Sequence, residues 1–110
     1  HVSRKTYGTF IGNGVLIGHL CVIHGCTLED GAFIGMGATV MDGCVIEAEA
    51  MLAAGSLLTP GKRIPARQMW AGRPARFVRE LTAEELAGHR AASKHYAELA
   101  GEYLAEYAGA

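Results

Sequence analysis

A large aliphatic side chain returns at every sixth residue across more than half of this chain, and that interval excludes most folds. The series runs Ile11, Ile17, Ile23, takes one shortened step, and resumes at Leu28, Ile34, Val40, Ile46, Leu52, Leu58 and Ile64, with Trp70 in the next slot. Four residues after each start sits a small or β-branched residue: Val15, Cys21, Thr27, Ala32, Ala38, Cys44, Ala50 and Ser56. An α-helix repeats its buried face every 3.6 residues and a half-buried strand every 2, so neither produces a strict six. A β-helix does.

One hexad then makes a short strand and a corner, and three hexads make a triangular coil of about eighteen residues. The period predicts three inward columns: Ile17, Ile34, Leu52 and Trp70; Ile11, Leu28, Ile46 and Ile64; Ile23, Val40 and Leu58. Glycine serves the corners because it takes positive φ without a Cβ clash. A β-sandwich, with strands of uneven length and plain alternation, does not hold one register over so many repeats.

At 110 residues the chain is read as one domain, with β-helix coils over 1–75 and a C-terminal helix packed on them over 76–110. A formal net charge of −1 gives no reason to expect nucleic acid or an anionic membrane surface as partner. No apolar run approaches the roughly twenty residues that span a bilayer. The sequence opens at His1 in mid-pattern, without methionine or a signal-like segment, and reads as the C-terminal part of a longer, cytoplasmic protein. Three cysteines give no disulfide framework. Cys21 and Cys44 fall on the small inward position, and all three cysteines, Cys26 beside His24 included, read as reduced core or corner thiols.

The repeats are expected to stop near Pro60–Pro65, with Met69 to Ala75 turning the chain out of the coil. A helix follows. Thr82 and Glu85 have capping-box spacing, and Leu81 and Leu86 flank them as a hydrophobic staple. Ala92, Tyr96, Leu99, Tyr103 and Tyr107 recur at three- and four-residue steps, predicting one apolar packing stripe. His89 and His95, set among charged residues, read as surface groups.

His19 and His24 are different. They lie in Ile17-Gly18-His19-Leu20-Cys21-Val22-Ile23-His24-Gly25-Cys26, and the shortened step follows at once. An imidazole just after the inward residue projects outward near a corner, and an irregularity beside polar side chains marks a shaped site. His1 precedes His24 by 23 residues, one coil plus an outward loop over residues 3–8. That spacing stacks His1 and His24 on one edge while His19 points from a neighbouring position. Three solvated histidines remain the alternative to a metal site.

At these residues the chain resembles the γ-class carbonic anhydrases and their close homologues. The resemblance is carried by His1-Val2, Ile17-Gly18-His19, Ile23-His24-Gly25-Cys26-Thr27 and Ile34-Gly35-Met36-Gly37-Ala38. It continues in Ala53-Ala54-Gly55-Ser56, Thr59-Pro60-Gly61-Lys62 and Trp70 to Ala75, and so covers essentially the whole chain. It implies a mainly β protein: a left-handed parallel β-helix followed by one C-terminal α-helix, assembled as a homotrimer. It further implies Zn2+, or another divalent ion such as Fe2+ or Co2+, held at the subunit interface by His1 and His24 of one chain and His19 of the next. The implied activity is reversible hydration of CO2 to bicarbonate by metal-bound hydroxide.

Two departures bear on that activity. The family's arginine, aspartate and amide residues around the metal lie ahead of its first histidine. Residues 2–18 contain no Asp or Glu, so the acidic loop that carries a proton shuttle in the family has no counterpart, and no catalytic residue is assigned. Two other classes stay open. One is a hexapeptide-repeat acyltransferase using acetyl-CoA, with His19 or His24 as general base. The other is a structural homologue that keeps the trimer with weak or no turnover.

Overall fold

The computed structural model describes residues 8–109, with side chains described as far as residue 99. The first coil comprises β1 (Phe10–Ile11), β2 (Leu16–Ile17) and β3 (Val22–Ile23). The second comprises β4 (Thr27–Leu28), β5 (Phe33–Ile34) and β6 (Thr39–Val40), and the third β7 (Val45–Ile46), β8 (Met51–Leu52) and β9 (Leu57–Leu58). A partial fourth adds β10 (Arg63–Ile64) and β11 (Gln68–Gly72). Like walls stack in parallel: β1-β4-β7-β10, β2-β5-β8-β11 and β3-β6-β9. The result is a left-handed parallel β-helix of triangular section, followed by one helix.

The registers reproduce all three columns. Ile17 pairs with Ile34, Ile34 with Leu52, and Leu52 with Trp70; the Ile11 and Ile23 columns stack in the same way. From Leu28 to Ile64 every large column residue is fully buried, which stabilises the fold by roughly 1.5–3 kcal/mol per side chain. Ser56 is tolerated inside because its hydroxyl accepts the Gly72 amide at 3.1 Å. Ile11 is 54% exposed while its stacked partner Leu28 is fully buried, because the first coil has a neighbour on one side only among the described residues.

Each corner carries a residue with positive φ. Most are glycine, but Leu20, Glu49 and Arg67 occupy the same place. The shortened step is a corner closed with one residue fewer, at Gly25 (φ 56°), whose amide donates to Thr9 Oγ1 at 3.0 Å.

The coil does not stop at Pro60–Pro65 as expected. β10 and the first part of β11 still stack on the third coil, since Ile64 and Trp70 fill their columns despite the prolines. The chain leaves through a hairpin that periodicity did not anticipate: β12 (Ala75–Glu80) returns antiparallel on β11, with a cis Arg73–Pro74 bond in the turn. Then α1 (Ala83–Gly109) begins. Its capping box is formed as expected: Thr82 Oγ1 accepts the Glu85 amide at 3.1 Å, and Glu85 accepts the Thr82 amide at 3.0 Å.

The helix runs back along its own prism. Arg90 Nε meets Glu49 at 2.6 Å on the third coil, and Ser93 Oγ donates to the Gly14 carbonyl at 2.9 Å on the first. Leu86 is buried, so the inward face is Leu86, His89 and Ser93, at i, i+3 and i+7. The tyrosine stripe diverges from that face: Ala92 is half-buried beside it, Tyr96 and Leu99 are exposed, and the side chains of Tyr103 and Tyr107 lie outside those described. Among the described residues no helix is long and apolar enough to cross a membrane.

Candidate metal centre

His24 follows β3 directly, and its amide donates to Val40 O at 3.2 Å. That bond holds the backbone extended as it leaves the wall, so the side chain, next to the inward Ile23, projects outward. It is exposed, and its Nδ1 is hydrogen-bonded to Asp42 Oδ1 of the next coil. A carboxylate can only accept. With Asp42 ionised, Nδ1 therefore carries the hydrogen, and a neutral ring then has its lone pair on Nε2. Asp42 escaped the sequence reading; its only signal was its place one coil after His24 at the irregular corner.

His19 stands at the preceding corner, between β2 and β3, stacked beneath Met36 and bonded through its carbonyl to the Gly37 amide at 2.9 Å. It is exposed, and it rims a cleft of about 670 Å³ between the first coil and the helix, lined by Leu16, Ile17, Phe33, Ala92 and Tyr96. The two histidines thus sit at opposite edges of the wall formed by β3, β6 and β9. Outward directions at successive corners of a triangular prism diverge, so the fold does not bring them together. Among the described residues no group of three His, Cys, Asp or Glu is placed to hold a metal ion. His1 lies outside the described residues.

The wall between the two histidines is apolar on its outer side. Leu20 is 87% exposed, Met36 58% and Val22 56%, with Met41 also exposed beside His24. Leu20 also has φ of 61°, a conformation costly for a leucine. The helix lies along the opposite corner, against Gly14 and Glu49.

The remaining titratable groups are structural. Cys26 and Cys44 are buried. Burial pushes the Cys26 thiol up to about 11, with Cys44 nearby adding to it, and burial likewise raises Cys44. Such thiols are poor nucleophiles and poor ligands at neutral pH. His89 is not the surface group expected. It is half-buried against Phe33, with ring centroids 4.4 Å apart, because it lies on the helix face that the Leu81–Leu86 staple turns towards the prism. Burial lowers its pKa. His95 is exposed.

The donor set suits a borderline divalent ion. Exposed imidazoles are ordinary zinc ligands, and a ring whose second nitrogen is held by a carboxylate is the usual form of such a ligand. One chain carries His19 and His24 at separate corners.

Comparison with known proteins agrees with the fold. The family model for bacterial transferase hexapeptide (six repeats) matches residues 8–40 and 25–60. The chain is 49% identical over 98% of its length to the protein named gamma carbonic anhydrase 1, mitochondrial, of Arabidopsis thaliana, of which it covers 39%. It is 50% identical over 94% of its length to a protein of Methanocaldococcus jannaschii named as a probable carbonic anhydrase, of which it covers 64%. Among solved structures, a hexapeptide transferase family protein from Anaplasma phagocytophilum superposes with a TM-score of 0.78 at 45% identity, covering 86% of this chain and 61% of that one.

Proposed function

Because the chain belongs to the γ-carbonic-anhydrase-like hexapeptide-repeat proteins, we propose that it forms a homotrimer that interconverts CO2 and bicarbonate at a metal site shared between subunits. His1 and His24 of one chain and His19 of the next would hold Zn2+, or another divalent ion such as Fe2+ or Co2+. The observation that carries this reading is the His24–Asp42 pair at one edge of an exposed apolar wall whose other edge bears His19. A divalent ion held by three imidazoles keeps an open position and brings the pKa of water down to about 7, supplying a nucleophile for CO2 at neutral pH.

The chain's own residues do the rest. His19 and His24 diverge, so one chain cannot close the site, whereas a second copy set against the apolar wall brings a His19 edge towards a His24 edge. The wall gives a reason for that contact. Leu20, Val22 and Met36 are exposed together, and burying such a patch favours association by about 25 cal/mol per Å² of apolar surface. The same contact would keep bulk water from the imidazoles, except at the position left open.

No carboxylate lies in residues 2–18, so the proton released on hydration must leave without that help. We therefore expect metal binding to be more evident than fast turnover. Metal analysis of the purified protein, with stopped-flow CO2 hydration on the loaded sample, tests this. We expect close to one ion per chain, lost in His24→Ala, with slow hydration. A trimer that binds no divalent ion, or binds it equally well as His24→Ala, would overturn the reading.

A second reading draws on the cleft between helix and coil. It is apolar, of about 670 Å³, with His19 at its rim, which suits an acyl carrier substrate and a general base. Acetyl transfer from acetyl-CoA without added metal, abolished in His19→Ala, would favour it.

A further inference from the structure

We propose that Asp42 is a positioning residue for His24: it fixes the Nδ1–H tautomer and aims the Nε2 lone pair outward for a metal ion. The consequence for metal affinity rests on the shared-site reading above. The tautomer itself does not.

The placement follows from the shortened step. Ile23 pairs with Val40, which sets His24 opposite Met41. Thr27 pairs with Val45, and the Gly43 amide donates to Gly25 O at 2.8 Å. Between those matches the second coil has one residue more than the first: Met41 to Cys44 turn the corner that His24 to Cys26 turn below. Across that shortened corner the Asp42 side chain reaches the His24 ring. The irregularity is the device that lets one coil orient a ring on another, much as a β-bulge re-aims a side chain beside a site. The backbone at Asp42 is fixed from the other side, where its carbonyl accepts the Gly61 amide at 2.9 Å.

The chemistry is then determined. The ionised carboxylate accepts only, so it selects the ring form with hydrogen on Nδ1, and it holds the ring plane. In that form Nε2 is the atom that would donate to a metal ion. Partners of this kind change metal affinity by about 10–100-fold when removed.

The test uses the full chain in metal-free and zinc-loaded form. In metal-free protein carrying 15N-labelled histidine, long-range 1H–15N spectra should show His24 as Nδ1–H in the wild type. In Asp42→Ala the signal should move towards Nε2–H, and zinc affinity should fall by about 10–100-fold with the trimer intact. Asp42→Asn keeps an accepting oxygen without the charge, so it should retain the tautomer and weaken zinc by a smaller factor. His24→Ala provides the reference for loss of the ligand. If Asp42→Ala leaves both the tautomer and the affinity at wild-type values, the positioning role is wrong while the shared metal site can still stand. If the wild type binds no zinc but loses its Nδ1–H form in Asp42→Ala, the orienting role holds and the metal reading falls. Should Asp42→Ala fail to fold, an Asp42→Asn protein with unchanged zinc affinity would overturn the proposal.

Discussion

Glycine has two separate jobs in this chain, and the residues around it tell them apart. At Gly55 φ is +70° and a Cβ would meet nothing within 4 Å, so the need there is conformational. Leu20, Glu49 and Arg67 hold the equivalent corner without glycine, which marks that need as moderate. At Gly35 a Cβ would lie 2.4 Å from the Ala54 nitrogen and 2.8 Å from the Ala53 carbonyl carbon, so the need is room for the next coil's backbone, which cannot yield. Gly55→Ala should therefore cost about 1–2 kcal/mol. Gly35→Ala should cost clearly more, about 3 kcal/mol or beyond, in the range tied to core overpacking. Urea unfolding of both variants checks this; equal losses would show that the coils can shift apart. The buried columns were legible because a large inward residue is required at every sixth place. The corners held by Leu20, Glu49 and Arg67 were not, since nothing in a leucine or arginine announces a left-handed backbone. Asp42 was equally silent: its role comes from its contact with His24 one coil earlier, which no repeat position encodes.

Among the elements, the helix was the one read most accurately at its start and least accurately along its length. The capping box is local chemistry within four residues and so was visible. Arg79 then adds a bidentate pair to Glu85, at 2.5 and 2.8 Å, and its hydrogen bonds hold the Glu85 carboxyl down to about 2. Which face turns inward depends on the hairpin that delivers the helix, and β12 has no distinct period. That is why His89 was misplaced on the surface. The two groups lose their contributions to acid in different pH windows. Burial depresses His89 below its ordinary 6.5, so its neutral form contributes stability that is fully present above about 6.5 and is lost as pH falls through the lowered folded value. Glu85 is depressed from 4.5 to about 2, so its contribution is complete above 4.5 and is lost only as pH falls towards 2. Between pH 7 and 5 Glu85 contributes no change. Thermal melts should therefore show a lower midpoint at pH 5 than at pH 7 in the wild type and a smaller drop in His89→Phe. An identical drop in both would mean that His89 is not packed against Phe33 in solution.

For the whole molecule, the period predicted a prism but not which of its walls meets another chain, because outward residues carry no six-residue signal. The exposed Leu20, Val22 and Met36 mark the wall opposite the helix, and the two histidines stand at its edges. A site divided in this way has a consequence that a site within one chain does not. In a cyclic trimer, His19→Ala and His24→Ala should each abolish tight metal binding when pure. Mixed trimers formed by subunit exchange always contain one contact where a His19→Ala chain offers intact His1 and His24 to the intact His19 of a His24→Ala chain. Every other contact lacks at least one ligand. Each mixed trimer should thus regain one metal site of its three, and recovery should rise with the fraction of mixed trimers measured by native mass spectrometry. Leu20→Glu on the same wall should weaken assembly and metal binding together, because it places charge in the contact that completes the site. If mixed trimers form and no metal returns, the histidines are not shared between chains, and the apolar wall requires a different partner.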